Sequence, residues 1–184
     1  MFKLIAFAAL SIGILYISRG SLRAPRSHGF YRFFAWELIT ALLILNLDVW
    51  FLDPWVWYQL ISWFLLIVCI LPLVFGVRAL TAQGKPVGRR EAEPQILAFE
   101  KTSALVTTGI YRYIRHPLYS SLLLLTWGIF FKSPADLLGA LLALAATLFL
   151  VATARADEAE CTRFFGPAYQ DYMKQTRMFV PFVF

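Results

Sequence analysis

The chain has 184 residues, of which 60% are hydrophobic and only 15% are charged. A soluble domain of this length is about half apolar and about a quarter charged, so the composition excludes an ordinary soluble domain and indicates a membrane protein. The net charge is +6, and the basic residues lie between apolar runs rather than in one patch. This pattern favours a membrane surface over nucleic acid as the partner.

Five apolar segments follow one another along the chain, at residues 4–17, 33–52, 55–77, 118–131 and 137–154. A membrane-spanning helix needs about 20 apolar residues, with a range of about 17 to 25. The second, third and fifth segments meet that length, and the first and fourth are short. The predicted fold is an all-α integral membrane protein with about five transmembrane helices. The first segment is expected to be a retained helix, because no small-residue cleavage site follows it.

Two short links predict helical hairpins. Asp53 and Pro54 form a tight turn between the second and third segments, and residues 132–134 do the same between the fourth and fifth. We expect one domain over residues 1–184. Its first 80 residues hold the three N-terminal helices, and residues 81–184 hold a catalytic loop, the last hairpin and a C-terminal segment. Residues 82–95 are rich in Gly, Pro and charge and predict a loop.

The basic residues predict an orientation in the membrane. Residues 18–32, 78–117 and 155–184 carry 15 of the 17 Lys and Arg residues, which leaves Lys3 and Lys132 for the other side. The positive-inside rule then places the N-terminus outside and both long polar segments and the C-terminus in the cytoplasm. This arrangement requires an odd number of crossings, which agrees with five spans.

The last hairpin predicts one charged site built from two distant stretches. At about 1.5 Å per residue, its two limbs are ~22 to 30 Å long, so residues 112–117 and 155–160 return to the same membrane face. Pro117 suits the first turn of the fourth helix, whose free N–H groups favour an anion. The expected cluster contains Arg112, Arg115, His116, Arg155, Asp157, Glu158 and Glu160.

Other polar residues carry weaker signals. Cys69 and Cys161 form no CxxC pair and no His/Cys cluster, so they are interpreted as core or interface thiols and no metal site is predicted. His28 is interpreted as a surface-loop histidine. Glu37 lies in the second apolar segment, where an acid is a candidate for lining the path of an acceptor. Residues 177–184 are interpreted as an interfacial anchor.

Two sequence stretches resemble a known family. The run LVTTGIYRYIRHPLYSSLL, then a hairpin, then ADEAECTRFFGPAYQDYMKQTRMFVP is similar to the isoprenylcysteine carboxyl methyltransferase family. That family belongs to a wider group that includes the membrane phospholipid methyltransferases. The resemblance covers about the last 80 residues, and the first three helices match only in being apolar. The matching residues are Leu105, Val106, Gly109, Tyr111, Arg115, His116, Pro117, Tyr119, Asp157, Glu158, Phe165, Gly166, Tyr169, Tyr172 and Pro181.

The resemblance implies an integral-membrane methyltransferase that uses S-adenosylmethionine in a cytoplasmic pocket and takes a lipophilic or small acceptor. Methyl transfer from a sulfonium is an in-line displacement, which needs alignment above all. Tyrosine faces suit the sulfonium, and cationic or N–H donors suit the carboxylate of the cofactor. The cofactor-binding residues implied are Leu105, Val106, Gly109, Tyr111, Arg115, His116, Pro117, Tyr119, Tyr169 and Tyr172.

The acidic pair departs from the family pattern. The implied catalytic residues are Asp157 and Glu158, where the family usually has two glutamates, together with Arg155. The family arginine usually lies four residues before the pair, which is Thr153 here. Arg155 lies two residues further on, about 200° around a helix. An acceptor carboxylate would need that arginine, so its displacement favours a lipid amine, a phenol or a thiol.

Two other classes remain open at this point. Membrane sterol reductases that use NADPH share a similar end pattern, but they typically have Asn where this chain has Leu118. A non-catalytic membrane scaffold or transporter subunit would explain the helices. It would leave the Arg-His-Pro motif and the acidic cluster unexplained.

Overall fold

A computed structural model describes residues 1–84, 104–134 and 136–181. Within these ranges there is no β-strand, and the predicted loop at residues 82–95 lies outside them from residue 85 onward. The helices that they form are α1 (Phe2–Ser18), α2 (His28–Leu45), α3 (Trp57–Val68), α4 (Ile70–Gln83), α5 (Pro117–Phe130), α6 (Leu137–Phe165) and α7 (Pro167–Gln175).

Each predicted apolar segment contains a helix, which confirms the all-α fold class. In the part of the chain that the structure describes, three helical stretches are long and apolar enough to cross a membrane: His28–Leu45, Trp57–Gln83 and Leu137–Phe165. Phe2–Ser18 and Pro117–Phe130 are shorter apolar helices. Apolar side chains on the outside of α3 and α4, such as Phe64 and Ile67, are exposed, as lipid-facing residues are. The protein is a multi-pass integral membrane protein.

Local chemistry shifts the ends of the second and third segments. Helix α2 begins at His28 because the Ser27 side chain accepts a hydrogen bond from the N–H of Phe30. It ends at Leu45, before residue 52, where the Asn46 side chain turns back to bond a carbonyl of the last turn. The third segment is two helices, α3 and α4, which meet at Cys69. Pro72 has no N–H to donate to the carbonyl four residues earlier, which explains the break.

Helix α6 extends well past the predicted end at residue 154. Its 29 residues are about 44 Å long, whereas the hydrocarbon core of a bilayer is about 30 Å thick. The last turns, which carry the acidic residues, therefore have length to project beyond the apolar layer. The helix ends at Gly166, whose φ of 61° and ψ of −138° suit glycine almost alone. Pro167 then begins α7 at its first position.

The helices pack around α5 and α6. Helix α6 lies against α2 and α5, and α5 also lies against α3 and α4. The last hairpin is thus confirmed. The second and third segments were predicted to pack as a hairpin, and this prediction is wrong, because α3 packs against α5 instead of α2. Gly128 allows this close approach, because a Cβ there would lie 2.9 Å from the Leu66 side chain. Ser62 also donates a 2.7 Å hydrogen bond to the Gly128 carbonyl.

The core between α2, α5 and α6 mixes small and branched residues. Small side chains let two helices approach closely in lipid, where the hydrophobic effect does not drive them together. Its buried members are Ala35, Ile39, Leu42, Ile129, Phe130, Ala143, Ala146 and Leu150.

Residues 177–179 are docked, which corrects their interpretation as part of an interfacial anchor, and residues 182–184 of that segment lie outside the described residues. Residues 113–116 and 177–178 run in parallel. The N–H groups of Arg115 and His116 donate to the carbonyls of Arg177 and Met178 at 2.8 and 3.1 Å. Phe179 is buried, and its carbonyl accepts a 2.8 Å hydrogen bond from Ser120. Backbone pairing thus ties the end of the chain to the Arg-His-Pro motif.

Candidate active site

A cavity opens where the start of α5, the last turns of α6 and helix α7 meet. It encloses about 780 Å³ of empty space, a figure that includes its open mouth. The lining residues are His28, Leu80, Leu105, Val106, Tyr111, Arg115, His116, Pro117, Leu118, Tyr119, Asp157, Glu160, Cys161, Phe165, Tyr169 and Tyr172.

His116 is buried between two carboxylates. Its Nε2 lies 3.3 Å from Oε1 of Glu158, and its Nδ1 lies 3.5 Å from Oδ2 of Asp157. Burial lowers the pKa of His116, but hydrogen bonds and charge from the two carboxylates outweigh it, so the net pKa lies above its ordinary value. The ring stacks on Tyr119 with centroids 5.3 Å apart. His116 therefore favours the imidazolium form, with both nitrogens donating.

Arg115 is a structural clamp. Its Nε donates a 2.6 Å hydrogen bond to Oε1 of Glu158, and its Nη1 donates to the carbonyls of Met173 and Thr176 at the end of α7. The charge of Arg115 is thus largely compensated by protein groups. Glu158 bonds Arg115 and His116, and it does not line the cavity.

Asp157 is the acid that the sequence predicted at the cavity wall. Tyr119 donates its hydroxyl to Oδ2 of Asp157 at 3.3 Å, and the Cys161 thiol lies 3.6 Å from Oδ1. Glu160 and Cys161 follow Asp157 by three and four residues, so the continued helix places all three on one face. The spacing of the three residues in the sequence is that of one helix face, but the helix was predicted to end at residue 154, before it reached them.

His28 is the residue that sequence reasoning misplaced. It is buried at the start of α2, 3% exposed, and not on a surface loop. Its backbone N–H donates to Oε1 of Glu160 at 2.9 Å, and its Nδ1 lies 2.5 Å from Oε2 of the same carboxylate. No local pattern marks this role, because the packing of α2 on α6 creates the contact across 132 residues of sequence.

Two tyrosines of α7 close the cavity. Burial raises the pKa of both Tyr169 and Tyr172 above the ordinary value, and neighbouring anionic groups raise that of Tyr169 further. Both rings therefore stay neutral. Tyr172 donates a 2.7 Å hydrogen bond to the carbonyl of Tyr111, which joins α7 to the turn before α5.

The cavity contains nine of the ten residues predicted to bind the cofactor. Gly109 lies outside it, in the turn before the motif, with φ of 62°. Arg155 is exposed and does not line the cavity, because α6 stays helical past residue 154 and turns the side chain away. Glu37 accepts a 2.6 Å hydrogen bond from Ser11 of α1 and does not line the cavity either.

One group of side chains was not expected. His28, Asp157 and Glu160 each offer a ligand-type atom, and these atoms lie within 4.8 Å of one another. The sequence predicted no metal site, whereas the distances between these atoms alone would allow one. The short contact between Nδ1 of His28 and Oε2 of Glu160 is a hydrogen bond, so Nδ1 carries a proton.

Comparisons with known proteins point in one direction. Residues 91–171 match the family model described as phospholipid methyltransferase. A methanethiol S-methyltransferase 2 of Bradyrhizobium diazoefficiens is 37% identical over 79 residues, which are 42% of this chain and 29% of the relative. A methanethiol S-methyltransferase of Crocosphaera subtropica is 29% identical over 77 residues, with the same two shares.

Residues 91–171, less than half of the chain, are thus similar to membrane methyltransferases. The resemblance predicted from the motif and the acidic pair is thereby confirmed for this part of the chain. The chain spans less than a third of the length of the curated relatives that it matches. No solved structure matches it. The matching region ends within α7, and His28 lies outside it on the N-terminal side.

Proposed function

We propose that the protein is an integral-membrane methyltransferase that uses S-adenosylmethionine and methylates a small or lipophilic thiol. The observation that carries the proposal is the cavity itself. Acidic and tyrosine side chains line it beside the apolar α5–α6 pair, in the region that matches the methyltransferase family model. The acceptor class is supported by the two relatives, both of which are methanethiol S-methyltransferases.

The cavity residues suit the proposed cofactor. S-adenosylmethionine supplies a methyl group activated on a sulfonium. Asp157 and the faces of Tyr119 and Tyr169 would favour its cationic part. The first turn of α5 has Pro117 at its start, and the N–H of Leu118 has no carbonyl within the helix to bond, so it would favour the carboxylate of the cofactor.

The charges of the cavity argue against an acceptor carboxylate. Asp157 and Glu160 line the wall, and the Arg115 guanidinium is bound to Glu158 and to backbone carbonyls. At the family arginine position, Thr153 is fully buried and donates to a carbonyl of its own helix. The arginine among the described lining residues is thus already paired, and a carboxylate that entered without another cation would have a substantial desolvation cost. A neutral protic acceptor has no such cost.

The orientation of the site belongs to the same proposal. The distribution of Lys and Arg supports a cytoplasmic cavity and an N-terminus outside. An acceptor dissolved in the bilayer would then reach the cavity along the apolar helices, and the cofactor would enter from the cytoplasm.

Labelled methyl transfer tests the function. Purified protein would be incubated with methyl-labelled S-adenosylmethionine and, separately, methanethiol, phosphatidylethanolamine and a prenylated cysteine. We expect label in the methyl sulfide product, and its loss in Asp157→Asn but not in Asp171→Asn, which changes an exposed residue of α7. Calorimetry should detect binding of S-adenosylhomocysteine. No binding and no labelled product would refute the proposal, and stabilisation by NADPH alone would favour a reductase.

A lipid amine is the second candidate acceptor. The description of the matching family as phospholipid methyltransferase favours it. Label in phosphatidylethanolamine, with none in the sulfide, would select this candidate over the thiol.

A further inference from the structure

We propose that His28 is the base that accepts the proton of the acceptor, and that Glu160 positions it. The inference rests on the proposed function and names a further residue for it. His28 belongs to α2, outside the region that matches the methyltransferase family. The N-terminal half of the chain would then supply a catalytic group in addition to membrane anchoring.

Glu160 fixes the histidine through both carboxylate oxygens. One oxygen accepts the backbone N–H of His28 at 2.9 Å, and the other lies 2.5 Å from Nδ1. The network assigns the proton to Nδ1, so that Nε2 is the basic nitrogen. Among the described residues, Nε2 has no hydrogen-bond partner, and the His28 side chain lines the cavity. A cavity-lining histidine that a carboxylate holds at one nitrogen, with no protein partner at the other among the described residues, is arranged as a general base.

A neutral thiol needs such a base. A thiol has a pKa of about 8.5 and is mostly protonated at neutral pH, and the thiolate is the nucleophile. The other groups at the cavity are less suited. Both ring nitrogens of His116 face carboxylates, at 3.3 and 3.5 Å, so neither is open to the proton of an acceptor. Asp157 already accepts a hydrogen bond from Tyr119 and faces His116.

The step balances without another reagent. The S–H bond of the acceptor breaks, its proton goes to Nε2 of His28, and its electron pair forms the new S–CH₃ bond. The bond from the methyl carbon to the donor sulfonium breaks, and its electron pair stays on that sulfur to give S-adenosylhomocysteine. Glu160 stabilises the imidazolium, which then releases its proton to water.

The acidity of the acceptor separates a base from a structural residue. We would compare wild type, His28→Asn and Glu160→Gln with methanethiol and with the more acidic thiophenol. Asparagine keeps a donor near the Nδ1 position and removes the basic nitrogen. With methanethiol, we expect His28→Asn to lose about 10²- to 10⁴-fold in rate. With thiophenol, which ionises without help, the loss should be below about 10-fold. Glu160→Gln should show the same dependence with a smaller loss.

A readout other than turnover accompanies the rates. Thiolate absorbance in the ultraviolet reports ionisation of the thiol bound with S-adenosylhomocysteine. We expect more thiolate on the wild type than on His28→Asn, measured at S-adenosylhomocysteine concentrations that saturate both proteins. Glu37→Gln is the matched control on α2, because Glu37 bonds Ser11 and lies outside the cavity. It should behave as wild type.

The outcomes separate the two proposals. Absence of transfer by wild type to any acceptor would refute the proposed function. Transfer by wild type with equal rates in the variants, or equal losses with both thiols, would overturn the role of His28 alone. Loss of wild-type activity in EDTA with recovery on adding Zn²⁺ would overturn it in favour of a metal at His28, Asp157 and Glu160. If His28→Asn does not fold, the acidity dependence of Glu160→Gln decides the question.

Discussion

Nε of Arg115 lies 2.6 Å from Oε1 of Glu158, which links the segment before α5 to a helix 43 residues further along the chain. Both side chains are 10% exposed. The same carboxylate oxygen lies 3.3 Å from Nε2 of His116. Glu158 thus holds two consecutive motif residues from behind the cavity wall.

Glu158→Ala tests this link. The substitution leaves the buried Arg115 without its carboxylate, and loss of one partner of a buried pair costs about 3–5 kcal/mol. We expect that loss in the free energy of unfolding, measured by denaturant titration in detergent, together with weaker S-adenosylhomocysteine binding. Asp171→Ala is the control, because its pair with Lys174 is exposed and contributes less than about 1 kcal/mol. Equal losses of unfolding free energy in Glu158→Ala and Asp171→Ala would contradict a stabilising role of the Arg115–Glu158 pair.

Stability should depend on pH through His116. Its folded pKa is raised by Asp157 and Glu158, so protonation stabilises the folded state. That contribution is fully present below the unfolded pKa of about 6.5 and is lost as pH rises through the raised folded pKa. The melting temperature of wild type should therefore fall as the pH rises above neutral. Glu158, Asp157, Tyr119 and Phe179 face the ring. His116→Gln should lack this part of the slope, and identical slopes would exclude His116 as its source.

Gly166→Ala tests the junction of α6 and α7. The backbone there is in a region that is essentially restricted to glycine, and strain of this kind costs about 1–3 kcal/mol. An added Cβ would meet no atom within 4 Å at Gly166 or at Gly13 of α1. Gly13→Ala is thus the matched control, and in a helix interior it should stabilise by about 0.5–1 kcal/mol. We expect opposite signs in thermal unfolding. If Gly166→Ala raised the thermal stability, the backbone at residue 166 would accept a side chain without strain, which contradicts this prediction.

Gln59→Leu tests the end of the bundle away from the cavity. Nε2 of Gln59 lies 2.8 to 3.1 Å from the carbonyls of Val49, Leu52 and Lys132, and its Oε1 accepts from the buried Lys132 ammonium. Loss of these hydrogen bonds should cost about 1–3 kcal/mol. S-adenosylhomocysteine affinity should not change, because the length of α5, about 21 Å, separates the two ends.

The control for this prediction is Gln170→Leu, on the exposed side of α7. It should change stability by less than about 0.5 kcal/mol, as surface substitutions usually do. A Gln59→Leu protein as stable as wild type would mean that the turn carbonyls find other donors.

The cavity shows where sequence reasoning succeeded and where it failed. Arg115, His116 and Asp157 were predicted together, because a hairpin of two similar limbs returns both ends to one face. Tyr119 was implied by the family resemblance. Arg155 was predicted with them, yet the continuous helix turns it outward. Glu160 was in the predicted cluster without a role. Its partner His28 was assigned to the surface, because nothing near it in sequence indicates burial.

The sequence by itself determined the apolar helices, the last hairpin and the meeting of the motif with the acidic pair. These features depend on composition, helix length and short turns, which are local properties. Tertiary structure alone decided that α3 packs on α5, that residues 177–179 pair with the motif, and that His28 reaches Glu160. Contacts between distant segments depend on the fit of helix surfaces, such as the small residues between α2 and α6, and one sequence does not show which surfaces will meet.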